Sequence, residues 1–175
     1  VRGIDTKKFI DDCAATNANA VVISAGGIYA FYASRVKYHY VSPLLDGRDF
    51  LKQATDLGHK AGMKIVARVN FSKAREEVFR DHPEWFARRA DGSAAKSGAF
   101  YQTCPNSPYA NESFAAPVLR EILEGYKVDG FHLNGGGFPG YCYCENCQRK
   151  FRRRFERALP QTPDWSSAAW RQYMS

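Results

Sequence analysis

The chain has 175 residues, of which 45% are apolar, 14% aromatic and 25% charged, a composition that excludes a disordered chain, a collagen-like repeat and a simple coiled coil. No stretch approaches the 18 or so uninterrupted apolar residues of a membrane-spanning helix, so no membrane partner is expected. The length allows one good core but falls short of the roughly 250 residues of a complete (β/α)8 barrel.

The charge balance is basic, with 25 Lys and Arg against 18 Asp and Glu and a net charge of +7. Such an excess could favour nucleic acid, but much of it lies within residues 149–157, where the solvated face of one helix explains it. The chain begins at Val1 without a basic, apolar leader, so any signal segment is absent or has been removed, and the location stays open with the cytoplasm slightly favoured. A homo-oligomer is compatible with these features.

The first elements follow from the hydrophobic spacing. Residues 5–16 predict a surface helix, and Asn19–Ser24 predicts a buried strand. A helix over 48–61 ends where Gly62 can take the left-handed conformation. Met63–Phe71 alternates apolar and polar residues, which predicts a second strand directly after that helix.

A strand, a helix and a strand with such short connections form the βαβ unit of a parallel sheet. The unit recurs. A helix is predicted from Ser107-Pro108, with a kink or restart at Pro117. A third strand follows over Val128–Leu133. The basic helix is predicted over Cys144–Leu159, stopped by Pro160. The residues therefore predict an α/β fold with three βα units.

Three of the five cysteines are crowded together as a C-x-C-x2-C motif, Cys142, Cys144 and Cys147, with Cys104 on an earlier loop. An odd number of cysteines argues against a disulfide framework. Four thiolates fit a tetrahedral Zn²⁺, which would be structural because no coordination position is left for water. The alternative is a set of reduced, partly buried thiols. Cys13 is predicted to be a packing residue.

Polar residues alternate toward the ends of the last two strands. Arg68 and Asn70 share one face of the second strand, and His132 and Asn134 share one face of the third. These side chains donate hydrogen bonds, and the amides also accept them, so the set suits a ligand rich in hydroxyl groups. In the alternative, Arg68 pairs with a buried carboxylate and His132 is a core histidine.

Carboxylates are missing from these strand ends. Hydrolysis of a glycosidic bond normally uses two Asp or Glu side chains. Asp129 stands at the start of its strand, where a barrel carries stabilising rather than catalytic residues. No Ser-His-Asp order, phosphate-binding loop or dinucleotide fingerprint is present either. The catalytic residues are therefore not identified.

The order and intervals of several segments resemble the group known as hypothetical glycosyl hydrolase 6 and, more distantly, the family 42 β-galactosidases. Six segments carry the resemblance: Ala67–Lys73, His82–Trp85, Asp91-Gly92, Cys104–Pro108, Val128–Phe131 and Cys142–Phe151. The resemblance implies a partial (β/α)8 TIM barrel of about three to four βα units over residues 1–160, with 161–175 starting a truncated following segment. It also implies zinc at Cys104, Cys142, Cys144 and Cys147.

The chain departs from that pattern at the catalytic position. Family 42 enzymes carry an acid/base Glu where this chain has the triplet Asn134-Gly135-Gly136. Fucosidase-like relatives carry an Asp nucleophile where Asn134 stands, although members of the resembling group often have Asn there. Relatives likewise often carry Asp in place of Asn70.

Three functional hypotheses follow. The leading one is a fragment of a glycoside hydrolase that acts on or binds a galactoside or fucoside at the barrel mouth through Arg68, Asn70, His132 and Asn134. The second is a non-catalytic carbohydrate-binding or scaffold protein. The third is a zinc-stabilised nucleic-acid-binding module, which is disfavoured because Phe151 and Phe155 lie at packing rather than base-stacking positions.

Overall fold

The computed structural model of the chain describes residues 3–134 and 140–174. The α-helices in these ranges are α1 (Thr6–Ala15), α2 (Phe50–Lys60), α3 (Glu76–Asp81), α4 (Ala115–Tyr126), α5 (Glu145–Phe155) and α6 (Ala168–Met174). The strands there are β1 (Ala20–Gly26), β2 (Tyr29–Ala30), β3 (Tyr40–Val41), β4 (Lys64–Val69), β5 (Lys73–Ala74), β6 (Lys96–Ser97), β7 (Phe100–Gln102) and β8 (Gly130–Leu133). None of the helices in these ranges is both long and apolar enough to span a membrane.

The chain forms two compact units. The first consists of Val1–Phe71 and Glu112–Gly135, and the second of Ser72–Asn111 and Gly136–Ser175. A parallel sheet of order β1-β4-β8 lies in the first unit, which confirms the predicted α/β fold with a parallel sheet. An antiparallel sheet of order β5-β7-β6 lies in the second. It escaped prediction because strands of two or three residues are too short to show an alternating pattern.

In the first unit, α2 packs against one face of β4. Ile65, Ala67 and Val69 are buried on that face, as the alternation of the sequence predicts. A Cβ atom at Gly58 of α2 would lie only 2.4 Å from Ile65 Cδ1, so glycine allows the helix to approach the strand this closely. Both elements contribute to a buried core that also includes residues of α1 and β1; it contains Ile10, Val21, Ile23, Leu45, Phe50, Ala54, Met63 and Ile65.

The helix predicted from Ser107-Pro108 is divided: it restarts near Pro117, as one alternative predicted, and it has no kink there. Pro108–Ala110 forms a separate 3-10 turn, and α4 begins only at Ala115. Pro117 is the third residue of α4, which continues unbroken to Tyr126. The first four N–H groups of a helix have no partner within it, so a proline at this position removes no hydrogen bond.

The predicted end of the basic helix is wrong. α5 stops at Phe155 because Glu156 takes a left-handed conformation with φ 54°, four residues before Pro160. Its buried side carries Cys147 and Phe151. The basic side chains predicted to form a solvated face are all exposed, namely Arg149, Lys150, Arg152, Arg153, Arg154 and Arg157.

Candidate functional site

Pairing of the parallel strands aligns three polar side chains in one row. Arg68 of β4 stands in register with Ser24 of β1 on one side and His132 of β8 on the other. The guanidinium of Arg68 donates to Ser24 Oγ at 3.5 Å. Residues paired in register point to the same side of a sheet, so this row lies on the face opposite to the one that α2 covers. Ser24 was not among the predicted site residues.

The other two predicted site residues, Asn70 and Asn134, lie at the edge of the sheet formed by the carboxyl ends of β1, β4 and β8. The Asn70 N–H donates to the Gly26 carbonyl at 3.1 Å, and the Asn134 N–H donates to the Val69 carbonyl at 2.8 Å. A Cβ atom at Gly27 would lie 2.6 Å from the Asn70 carbonyl oxygen, so only glycine fits there without a shift. The backbone pairing therefore brings Asn70 and Asn134 to the same edge.

The surroundings of Arg68 and His132 differ from the alternative in which both residues have only a structural role. His132 is exposed rather than part of the core, and Arg68 is half-buried. Among the described residues, no carboxylate forms an ion pair with Arg68. The Arg68 side chain therefore keeps donors for a ligand.

Asp129 lies at the other end of the sheet, before β8. Its carboxylate accepts hydrogen bonds from the Ile65 N–H at 2.8 Å, from Lys64 Nζ at 2.9 Å and from His59 Nε2 at 2.8 Å. The bond from Ile65, followed by those from Lys64 and His59, holds the pKa of Asp129 below its usual range. Asp129 was predicted to stand at the start of its strand, away from the candidate binding residues, and the structure confirms this position.

In the described part of the chain, no Asp or Glu directly follows β1, β4 or β8. Gly135 and Gly136, the last two residues of the triplet compared with the family 42 acid/base position, lie outside the described residues.

A polar network around Glu121 was missed by the sequence analysis. The carboxylate of this α4 residue accepts hydrogen bonds from Tyr32 Oη at 2.8 Å, Ser34 Oγ at 2.6 Å and the Arg35 N–H at 2.7 Å. Burial alone would raise the pKa of Glu121, but these hydrogen bonds outweigh it and lower the pKa. No local pattern predicts such a network, because its partners lie more than 80 residues apart in sequence.

His39 connects this network to the end of β1. The Gly27 N–H donates to His39 Nε2 at 3.4 Å, which assigns the proton to Nδ1, 3.0 Å from Ser34 Oγ. A Cβ atom at Gly26 would lie 2.6 Å from the same Nε2. Burial of the ring lowers the pKa of His39 to about 4. A neutral His39 therefore supports the backbone at the edge that carries the row.

The second unit brings the four predicted cysteines together. The sulfurs of Cys104, Cys142, Cys144 and Cys147 all lie within 4.8 Å of one another. Cys104 Sγ is 3.4 Å from Cys147 Sγ and 3.5 Å from Cys144 Sγ, close to the edge of about 3.8 Å in a tetrahedron with 2.3 Å metal–sulfur bonds. These separations are too long for a disulfide, and the cluster fits a metal ion.

Two of the four sulfurs, those of Cys144 and Cys147, lie where a thiolate is favoured and have a lowered pKa. Cys144 is the N-cap of α5 and Cys147 lies in its first turn, where the helix dipole stabilises a thiolate. Hydrogen bonds from Cys104, Cys142 and Cys144 lower the pKa of Cys147, whereas those with Cys142, Cys144 and Cys147 raise that of Cys104. Cys13 is half-buried against the core of the first unit, as predicted for a packing residue.

A family model matches most of the chain. The family model described as hypothetical glycosyl hydrolase 6 matches residues 5–135. β-Galactosidase BgaP of a Planococcus species is 36% identical over 83 residues, which cover 41% of this chain and 12% of that protein. β-Galactosidase BgaH of Haloferax lucentense is 26% identical over 136 residues, which cover 70% of this chain and 20% of that protein.

Solved structures share the fold at low identity. α-L-Fucosidase isoenzyme 2 from Paenibacillus thiaminolyticus superposes with a TM-score of 0.72 at 22% identity, over 98% of this chain and 26% of that one. The cold-adapted β-galactosidase from a Rahnella species gives a TM-score of 0.60 at 20% identity, over 87% of this chain and 22% of that one. The chain thus spans only about a quarter or less of the length of these relatives.

We expect the stability of the first unit to fall as the pH drops from 6.5 to 4. The pKa of His39 is lowered on folding, so the unfolded chain takes up the proton more readily than the folded one below pH 6.5. The loss amounts to about 3 kcal/mol across this window. His39→Gln should flatten this pH dependence, as measured by urea unfolding at several pH values. Replacing the exposed His132 by Gln serves as the control, and an unchanged pH dependence in His39→Gln would contradict the assignment.

We expect the protein to bind one divalent transition-metal ion per chain through the four clustered cysteines. Cys104→Ser and Cys147→Ser should each lose the ion, as measured by native mass spectrometry and elemental analysis. Metal removal should lower the free energy of unfolding by about 3 to 4 kcal/mol, the linkage expected at free metal concentrations of 100 to 1,000 times the Kd. Cys13→Ser should keep the ion. Full metal content in Cys104→Ser would show that the cluster is not the binding site.

Proposed function

Because the chain belongs to the hypothetical glycosyl hydrolase 6 family, we propose that it is part of a glycoside hydrolase that binds a carbohydrate at the C-terminal edge of β1, β4 and β8. The observation that carries the proposal is the row of Ser24, Arg68 and His132, held in register by the sheet. Ligands of parallel α/β sheets bind at the carboxyl ends of the strands, which is the edge that this row approaches.

The residues at this edge match the chemistry of a sugar. Arg68 offers several N–H donors from one planar group, while Asn70 and Asn134 can each donate and accept. Sugar hydroxyls also donate and accept, so neighbouring hydroxyls can be bound by such a mixed set. His132 is exposed on the same face and can contact a ligand from the third strand.

We further propose that the three βα units belong to a (β/α)8 barrel. The strand order β1-β4-β8 follows the chain, as in a barrel where each strand pairs with the next. Val22, on the face of the row, is 54% exposed, and Leu133, on the helix-covered face, is 66% exposed. Large apolar side chains exposed on both faces favour a sheet that other strands and helices would cover.

The substrate that we propose is a galactoside or a fucoside. This choice follows the names of the relatives, which are β-galactosidases and an α-L-fucosidase. Asn134 is an amide and cannot act as a nucleophile or an acid. A hydrolase of this kind would therefore take its two carboxylates from other parts of the protein, and the residues described above would bind and orient the sugar.

A non-catalytic carbohydrate-binding protein is the second candidate. It is favoured by one observation, the amide side chains of Asn70 and Asn134 at the ends of β4 and β8. The same binding residues would then act without hydrolysis.

Nucleic-acid binding has less support. Binding of single strands needs aromatic side chains interleaved with the cations, whereas Phe151 of α5 is fully buried and packs in a cluster with Trp170 and Ala169. The aromatic side of α5 thus serves packing in the second unit.

For the cysteine cluster we propose Zn²⁺. Four thiolate ligands at nearly tetrahedral separations are typical of structural zinc. With four protein ligands the ion would have no open position for water, so its role would be to hold the Cys104 loop against the start of α5.

Arg68→Ala should weaken sugar binding by about tenfold to a hundredfold, because hydrogen bonds from a charged donor contribute about 1.5 to 3 kcal/mol. Calorimetric titration with galactose- and fucose-terminated oligosaccharides measures this loss. Arg120→Ala, which removes an exposed arginine from α4 of the same unit, is the matched control. Equal affinities in the two variants would refute binding at the row.

The full-length protein should hydrolyse an aryl galactoside or an aryl fucoside, as followed by release of the chromogenic phenol. Binding without turnover across a broad panel of glycosides would reject the hydrolase and favour the second candidate. Absence of both binding and turnover would reject both candidates.

A further inference from the structure

Asn106 contacts two of the four clustered sulfurs. Its backbone N–H donates to Cys104 Sγ at 3.3 Å, and its side-chain Nδ2 donates to Cys147 Sγ at 3.3 Å. These sulfurs come from the loop after β7 and from the first turn of α5. One asparagine therefore connects both parts of the cluster by hydrogen bonds.

Lys150 determines which way the amide of Asn106 faces. Lys150 Nζ lies 2.6 Å from Asn106 Oδ1. An ammonium group only donates, so the atom that faces it must be the amide oxygen, and the NH₂ group must then face the sulfur. The orientation of Asn106 thus follows from its neighbour's chemistry.

Tyr173 of α6 completes this arrangement. Asn106 Nδ2 lies 3.4 Å from Tyr173 Oη. The Tyr173 side chain also packs against the buried cysteines of the cluster. Tyr173 therefore contacts the Asn106 amide and helps to hold it beside the Cys147 sulfur.

We propose that Asn106, oriented by Lys150 and assisted by Tyr173, is a positioning residue that controls how firmly the thiolate cluster retains its metal. The inference rests on the metal binding proposed above. Four thiolates around a divalent ion leave an excess of negative charge, which N–H donors and a nearby ammonium stabilise. Donors to sulfur also withdraw electron density from it, which slows attack on the thiolate by protons and oxidants.

Asn106→Asp is the sharpest test. It keeps the shape of the side chain and the backbone N–H, but it places a carboxylate oxygen where the NH₂ group faced Cys147. We expect transfer of Zn²⁺ to the chelator 4-(2-pyridylazo)resorcinol to become about 10- to 100-fold faster, the range typical for changes next to a metal ligand. Lys150→Met and Tyr173→Phe should show smaller accelerations in the same direction.

A spectroscopic measurement separates this role from a merely structural one. In the Co²⁺-substituted full chain, the sulfur-to-cobalt charge-transfer band should move to lower energy in Asn106→Asp, because this variant loses a donor to sulfur. Asn146→Ala is the matched control, because Asn146 lies on α5 next to Cys147. The Asn146 amide donates to the Glu84 carbonyl at 2.8 Å and accepts from Arg149 at 2.6 Å, and neither contact involves a sulfur.

The outcomes are distinct. Faster release together with a shifted band, both absent from Asn146→Ala, supports the proposal. Wild-type release and spectrum in Asn106→Asp overturn it while leaving metal binding intact. If Asn106→Asp fails to fold, Lys150→Met decides, because Lys150 is exposed: an unchanged release rate in that variant overturns the proposal. A wild-type protein that binds neither Zn²⁺ nor Co²⁺ overturns the proposed metal site and this inference together.

Discussion

Parallel pairing of β1, β4 and β8 is the constraint on which the candidate binding edge depends. A parallel ladder aligns strands in one direction, so residues at equal register share one edge and one face. Arg68 gains Ser24 and His132 as neighbours through this ladder and not through sequence proximity. Glycine contributes at two positions, since Gly58 lets α2 lie against Ile65 and Gly27 lets its loop approach Asn70.

In the second unit, the cysteine cluster is the feature that brings separate segments of the chain together. The antiparallel strands are short, and the Cys104 N–H donates a hydrogen bond to the Trp85 carbonyl at 2.9 Å. The buried sulfurs link the Cys104 loop to α5, whose first turn carries Cys147. A metal held by these sulfurs would act as a cross-link between these two segments.

The incorrect predictions have local physical causes. A kink at Pro117 was one alternative, but this residue falls in the first turn of α4, where its missing N–H has no partner to lose. A proline was expected to end α5, but Glu156 ended it earlier by taking a left-handed conformation, which non-glycine residues adopt only when their surroundings favour it. A sequence pattern shows that a proline is present, but it does not show which turn of the helix the proline occupies.

By itself, the sequence determined the parallel α/β character, the alternation of β4 and the identity of the four cysteines, because these depend on local periodicity and residue chemistry. The tertiary structure alone decided which side chains meet. Ser24 joined the row through strand register, Glu121 reached His39 through Ser34 across more than 80 residues, and Asn106 met Cys147 through loop packing. Contacts between distant segments depend on how the chain folds back on itself, and no local pattern carries that information.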